Sequence, residues 1–225
     1  MIPTKICGIT HLVDAQFSVQ NGASAIGFIF YKKSPRAMLI DEAKSISDQL
    51  PKSIARVGVF VNHSKDFIDQ TVSKVPLNAI QLHGDESPDF CSQFDLPVYK
   101  ALRIKDEKSL SIMSQYNVDG FLLDTFSSEQ YGGTGKPFDW SLLKNHKNSI
   151  PIILSGGLNP GNIIKAIEEV LPDAIDVNSG VEISPGIKNH NKIEQLFNKL
   201  KGTKSTGFKF ENNSHKDTEN TELIL

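Results

Sequence analysis

Apolar residues in this chain fall into short, nearly unbroken runs, separated by stretches in which they recur every three or four positions. The runs are TKICG at 4–8, SAIGFIF at 24–30, ARVGVFV at 55–61 and AIQLHG at 79–84, then PVYKALRI at 97–104, GFLLDT at 120–125, IPIILSGG at 150–157 and AIDVNSG at 174–180. Strict alternation of apolar and polar residues is uncommon in them, as expected of parallel strands covered on both faces. Between the runs, helical periodicity predicts helices over residues 41–50, 65–75, 106–116, 160–170 and 191–200. In the last of these, Ile193, Leu196, Phe197 and Leu200 follow the i, i+3, i+4, i+7 stripe of a core-facing helix. Asn159-Pro160 reads as an N-cap with proline at the first helical position.

Strand starts recur roughly every 20 to 30 residues, the length of one strand, one helix and two loops. Repeating that unit for each apolar run gives a single α/β domain, a (β/α)8 TIM barrel over residues 1–201, near the small end of that fold's range. An open doubly wound sheet is the competing architecture, but no G-x-G-x-x-G follows the first strand. From Gly202 the sequence turns polar, and residues 202–225 read as a loose tail with too few apolar groups to offset the entropy of ordering. Deleting residues 206–225 is expected, on sequence grounds, to leave stability and activity nearly intact.

With 39% hydrophobic and 22% charged residues, the 225-residue chain has the composition of an ordinary globular protein. A net charge of −2 gives no attraction for nucleic acid or an anionic membrane surface, so a small molecule is the expected partner. The two cysteines, Cys7 and Cys91, are too few and too widely spaced for a disulfide framework or a zinc site. The six histidines show no paired spacing, so no metal is expected, and no cofactor motif is present. With no basic-then-apolar leader and no apolar run of spanning length, the expected setting is cytoplasmic, with the chain a monomer or weak homodimer.

In a barrel the chemistry gathers where the strands run out. Those positions hold Cys7 after strand one, Arg36 in the KKSPR loop after strand two, Gln81 and His83 in QLHG, and Asp124 in LLDT. Ser155-Gly156-Gly157 ends strand seven, and Asp176, Asn178, Ser179 and Gly180 end strand eight. Glycines in these last two loops let backbone N–H groups approach an oxyanion, so a phosphorylated substrate is implied. Cys7 and Asp124 on opposite walls could act as base and acid on one substrate; core packing for the thiol and loop bracing for the carboxyl are the plainer alternatives. GGTGK at 132–136 is not a nucleotide loop, because Gln130 stands where the first glycine belongs and Pro137 follows the lysine. Long and glycine-rich, it could still close over a substrate.

The ordered set KICGIT, SPR, VGVFVN, QLHG, LLDT, GGTGKPFDW, LSGGLNPGN, DVNSGVE and SPGIKN resembles phosphoribosylanthranilate isomerases over nearly the whole chain. The resemblance implies an Amadori rearrangement of N-(5-phosphoribosyl)anthranilate to 1-(2-carboxyphenylamino)-1-deoxyribulose 5-phosphate, a step of tryptophan biosynthesis. It implies Asp124 as general acid on the ribose ring oxygen and Cys7 as general base at C2. Arg36 would face the anthranilate carboxylate, with Gly157, Ser179 and Gly180 on the phosphate loops and Asp176 near the ribose hydroxyls. His83 and Gly156 join the expected substrate-binding set. Ser155, Asn178 and the Lys188-Asn189 pair depart from the family's usual residues without removing a proposed catalytic group. An indole-glycerol-phosphate synthase with a catalytic lysine, a metal-dependent ribulose-phosphate epimerase, and a non-enzymatic phosphate sensor are the competing readings. Lys5 is available for the first, whereas no histidine set serves the second.

Overall fold

The computed structural model describes residues 1–125, 138–143 and 149–211. Eight parallel strands close into a barrel in chain order. They are β1 (Thr4–Ile6), β2 (Ala25–Ile29), β3 (Ala55–Phe60), β4 (Ala79–Leu82), β5 (Val98–Ile104), β6 (Gly120–Thr125), β7 (Ile152–Leu154) and β8 (Ala174–Val177). β8 pairs back onto β1, with Lys5 opposite Asp176. The helices are α1 (Leu12–Asn21), α2 (Ile40–Ser47), α3 (Lys65–Lys74), α4 (Pro88–Cys91), α5 (Glu107–Ser111), α6 (Ile163–Val170) and α7 (His190–Leu200). A small hairpin, β9 (Glu182–Ser184) and β10 (Ile187–Lys188), stands between β8 and α7.

The apolar runs lack alternation because both strand faces are buried. One face meets the helices in the larger core, where Ile6, Phe28, Leu82, Phe121 and Val177 pack with Ile193, Leu196, Phe197 and Leu200. The other face fills the barrel, where Ala25, Ala55, Ala79 and Ala174 leave room beside Tyr99, Leu122 and Ile153. These alanines begin their strands, so the space lies at the N-terminal floor of the barrel.

That floor is closed by the chain's own C-terminal segment. The residues after Gly202 are polar as a group, yet Phe208 and Phe210 are buried in the barrel interior. Their rings meet edge to face with centroids 5.0 Å apart, and each lies 6.0 Å from the ring of Tyr99. The Thr206 hydroxyl donates to the Asp173 carbonyl, and the Thr203 hydroxyl accepts from the Ile2 amide at 2.9 Å. Two aromatic rings in a cavity lined by alanines bury enough surface to order the backbone that carries them.

Several boundaries differ from the sequence pattern for local reasons. β7 stops at Leu154 because Gly156 and Gly157 adopt φ of +85° and +65°, which no strand continues through. The helix expected to begin at Pro160 starts at Ile163 instead, with Asn162 at its N-cap. Asn159 is used in the preceding turn, where its Oδ1 accepts from the Gly161 amide at 2.8 Å. The GGTGK loop, His146 and His215 lie outside the described residues.

Candidate active site

A cavity opens at the C-terminal ends of the strands. Cys7, Arg36, His83, Asp124, Gly156, Gly157, Asp176, Ser179 and Gly180 all line it, so every site residue chosen from the sequence comes to one place. Gln81, Asn178, Tyr31 and Ser34 join them.

Cys7 follows the last residue of β1, and its amide still donates to the Val177 carbonyl at 2.9 Å. Lys5 precedes it by two positions, so both side chains point into the barrel. A Cβ on Gly27 would lie 2.8 Å from Cys7 Sγ and 2.9 Å from Lys5 Cε, so the two groups share the space above that glycine. Burial pushes the Cys7 thiol up; Lys5 and Lys188 pull it back, Asp176 opposes them, and the balance stays above the ordinary thiol range. Burial alone would weaken the Lys5 ammonium, but the Asp176 carboxylate, at 2.8 Å, and Cys7 raise it above the usual lysine value.

Asp124 sits across the mouth on β6, 4% exposed. Its Oδ1 accepts from the Thr125 amide at 2.7 Å, and its Oδ2 lies 3.3 Å from His83 Nε2. His83 Nδ1 is 2.7 Å from Gln81 Nε2. One carboxyl oxygen is thus hydrogen-bonded, and the other faces the imidazole without a hydrogen bond of good geometry.

Arg36 reaches the cavity in the grip of Glu182. Its Nε and Nη2 donate to that carboxylate at 2.9 and 2.7 Å, a forked pair buried on both sides. Lys188 Nζ donates to Glu182 Oε1 at 2.9 Å and to Asn178 Oδ1 at 3.0 Å. Burial would push the Glu182 carboxyl up, but Arg36 and Lys188 hold it below its ordinary value. The pairing occupies one edge of the guanidinium, and Nη1 makes no hydrogen bond among the described residues. Glu182 was not among the residues singled out from sequence. Its signal was its place in SGVE, but the hairpin that turns it back toward Arg36 has no sequence period of its own.

The two glycine loops interlock. A Cβ on Gly180 would lie 1.9 Å from the Leu158 carbonyl oxygen, so only glycine allows the β8 loop to lie against the β7 loop. Asn159 and Asn162 both donate from Nδ2 to the Gly157 carbonyl, at 3.1 and 3.0 Å. With that carbonyl tied down, the Gly156 and Gly157 amides have no acceptor among the described residues. Free amides on paired glycine loops beside a cavity suit an anion.

A closed (β/α)8 barrel with a thiol, a carboxyl and glycine loops at its mouth falls in the class of barrels suited to acid–base work on small anionic substrates. Residues 4–199 match the family model of N-(5'phosphoribosyl)anthranilate (PRA) isomerase. The N-(5'-phosphoribosyl)anthranilate isomerase of Thermotoga neapolitana is 48% identical over 205 residues, which are 90% of this chain and 100% of that one. The crystal structure of the Thermotoga maritima phosphoribosyl anthranilate isomerase superposes with a TM-score of 0.85 at 45% identity, over 90% of this chain and 100% of that one. A phosphoribosyl anthranilate isomerase solved in complex with reduced 1-(o-carboxyphenylamino)-1-deoxyribulose 5-phosphate superposes at 0.82 with 42% identity, again over 90% and 100% of the two chains. The chain belongs to the PRA isomerase family.

Proposed function

We infer that this chain isomerises N-(5-phosphoribosyl)anthranilate to 1-(2-carboxyphenylamino)-1-deoxyribulose 5-phosphate, an Amadori rearrangement in tryptophan biosynthesis. Family membership carries the reaction, and the observation that ties it to particular atoms is the placing of Cys7 and Asp124 in one cavity beside two glycine loops.

Asp124 gives its proton to the ribose ring oxygen, and the C1–O bond breaks to leave a protonated Schiff base. Cys7, as thiolate, then removes the C2 proton, and the electron pair moves into the C1–C2 bond to form the enolamine, which tautomerises to the ketone. Burial outweighs the cationic neighbours and favours the thiol. The iminium formed on ring opening adds a positive charge to those of Lys5 and Lys188, so the thiolate is favoured when it is needed. Gly156, Gly157, Ser179 and Gly180 hold the phosphate. Asp176 has one oxygen taken by Lys5 and offers the other to a ribose hydroxyl. Arg36 meets the anthranilate carboxylate through the edge that Glu182 leaves open.

All of these residues come from one chain, so a single copy supplies each group named in this mechanism, whether the protein is a monomer or a weak homodimer. Neither cysteine is in a disulfide, and no described helix is long and apolar enough to cross a membrane. A reducing cytoplasm suits a mechanism that needs a free thiol.

Arg36→Ala is expected to raise KM by about tenfold or more with a smaller change in kcat, as for a lost charge-assisted contact made to substrate and transition state alike. Glu182→Gln is expected to act in the same direction by loosening the guanidinium. An unchanged KM in steady-state assays of Arg36→Ala would show that the carboxylate is held elsewhere.

A further inference from the structure

The buried Lys5 side chain does more than face Cys7. Its Nζ donates to Asp176 Oδ1 at 2.8 Å and to Gln81 Oε1 at 3.0 Å. An ammonium can only donate, so it fixes the Gln81 amide with its oxygen toward Lys5 and its nitrogen toward β4's end. That nitrogen, also only a donor, is 2.7 Å from His83 Nδ1. Nδ1 must therefore accept, and the neutral ring carries its hydrogen on Nε2. Nε2 has no partner meeting strict hydrogen-bond geometry, yet it faces Asp124 Oδ2 at 3.3 Å. All donors along this line run one way, from the β1 ammonium to the β6 carboxyl.

We propose that Gln81, oriented by Lys5, is a positioning residue for the isomerisation: it fixes His83 as an Nε2–H donor aimed at the acid Asp124. The proposal rests on the reading of Asp124 as general acid. When that carboxyl gives up its proton, Oδ1 already has the Thr125 amide and the imidazole N–H stands 3.3 Å from Oδ2, so a small closing movement gives the new charge a second donor. The opposite tautomer would set donor against donor at Gln81 and turn a lone pair toward the carboxylate.

Gln81→Glu is close to isosteric and reverses the logic, because a carboxylate accepts from Lys5 and also from an Nδ1–H. Long-range 15N–1H NMR of the His83 ring, assigned by its loss in His83→Asn, should show hydrogen on Nε2 and a bare Nδ1 in the wild type at neutral pH. In Gln81→Glu, Nδ1 should become protonated, and kcat should fall toward the ~10²-fold cost of a lost preorganised donor, with KM changed much less. Lys5→Met, which frees the amide to flip, should give a mixture of tautomers. A wild-type ring bearing hydrogen on Nδ1 would overturn the proposal, as would Gln81→Glu that keeps both the Nε2–H ring and normal kcat. Asp124→Asn separates the two levels: full turnover in that variant would remove the acid assignment, while the wild-type ring spectrum would still report whether Gln81 sets the tautomer.

Discussion

Cys7 and Asp124 face each other with different constraints. The thiol has cations nearby and is opposed by its own burial, whereas the carboxyl has one oxygen bonded to the Thr125 amide and the other facing the His83 ring. Cys7→Ala and Asp124→Asn are each expected to lower kcat by about 10²- to 10⁴-fold, as for a lost general acid or base, in assays on variants shown to be folded by circular dichroism. Cys91 is a contrast, since burial pushes its thiol up to about 11. It is expected to stay unmodified by a thiol reagent at neutral pH for as long as the chain is folded, which mass spectrometry of the alkylated protein would check. The residue types of the site were legible because strand ends in a barrel are where chemistry collects. Glu182 and the orientation of Gln81 were not, because each depends on a partner distant in sequence: Arg36 for one, Lys5 for the other.

At the scale of elements, the loops after β7 and β8 work as one unit. Gly180→Ala would drive a methyl into the Leu158 carbonyl, so the loops must part. The expected result is weaker binding of inorganic phosphate in calorimetric titration and a raised KM; wild-type phosphate affinity would show that the anion sits elsewhere. The β9–β10 hairpin acts likewise through Glu182, whose folded-state carboxyl is held below its unfolded value by Arg36 and Lys188. That pairing contributes stability which is complete above the ordinary glutamate range and is lost as pH falls through the depressed folded value. Glu182→Gln should therefore flatten the acid side of a denaturation-midpoint curve; an unaltered curve would mean that the ion pairs add nothing to folding. The strands and most helices were legible from periodicity alone. The helix start near Pro160 was not, because Asn159 makes a turn hydrogen bond that looks in sequence like a helix cap.

For the whole molecule, the barrel is closed at one end by chemistry and at the other by its own C-terminal segment. Small residues at the strand starts leave a space that Tyr99, Phe208 and Phe210 fill. Composition made all of residues 202–225 look free; within residues 202–211 the alanine-lined floor gives Phe208 and Phe210 a place, and residues 212–225 lie outside the described residues. Truncation at residue 205 is therefore expected to destabilise the fold, against the expectation from sequence. Phe210→Ala alone should cost about 3–5 kcal/mol, on the order of 6–20 °C in Tm for a chain this long. Thermal denaturation of that variant at wild-type Tm would show that the floor does not need the plug.

The most direct test of the site as a whole follows the fluorescence of freshly made phosphoribosylanthranilate mixed with the wild-type protein, Cys7→Ala or Asp124→Asn, with product confirmed by chromatography. Rapid conversion by wild type and severe loss in both folded variants is the expected result. Conversion at the wild-type rate by either variant would contradict the assignment of base and acid, and no conversion by the wild type would contradict the reaction itself.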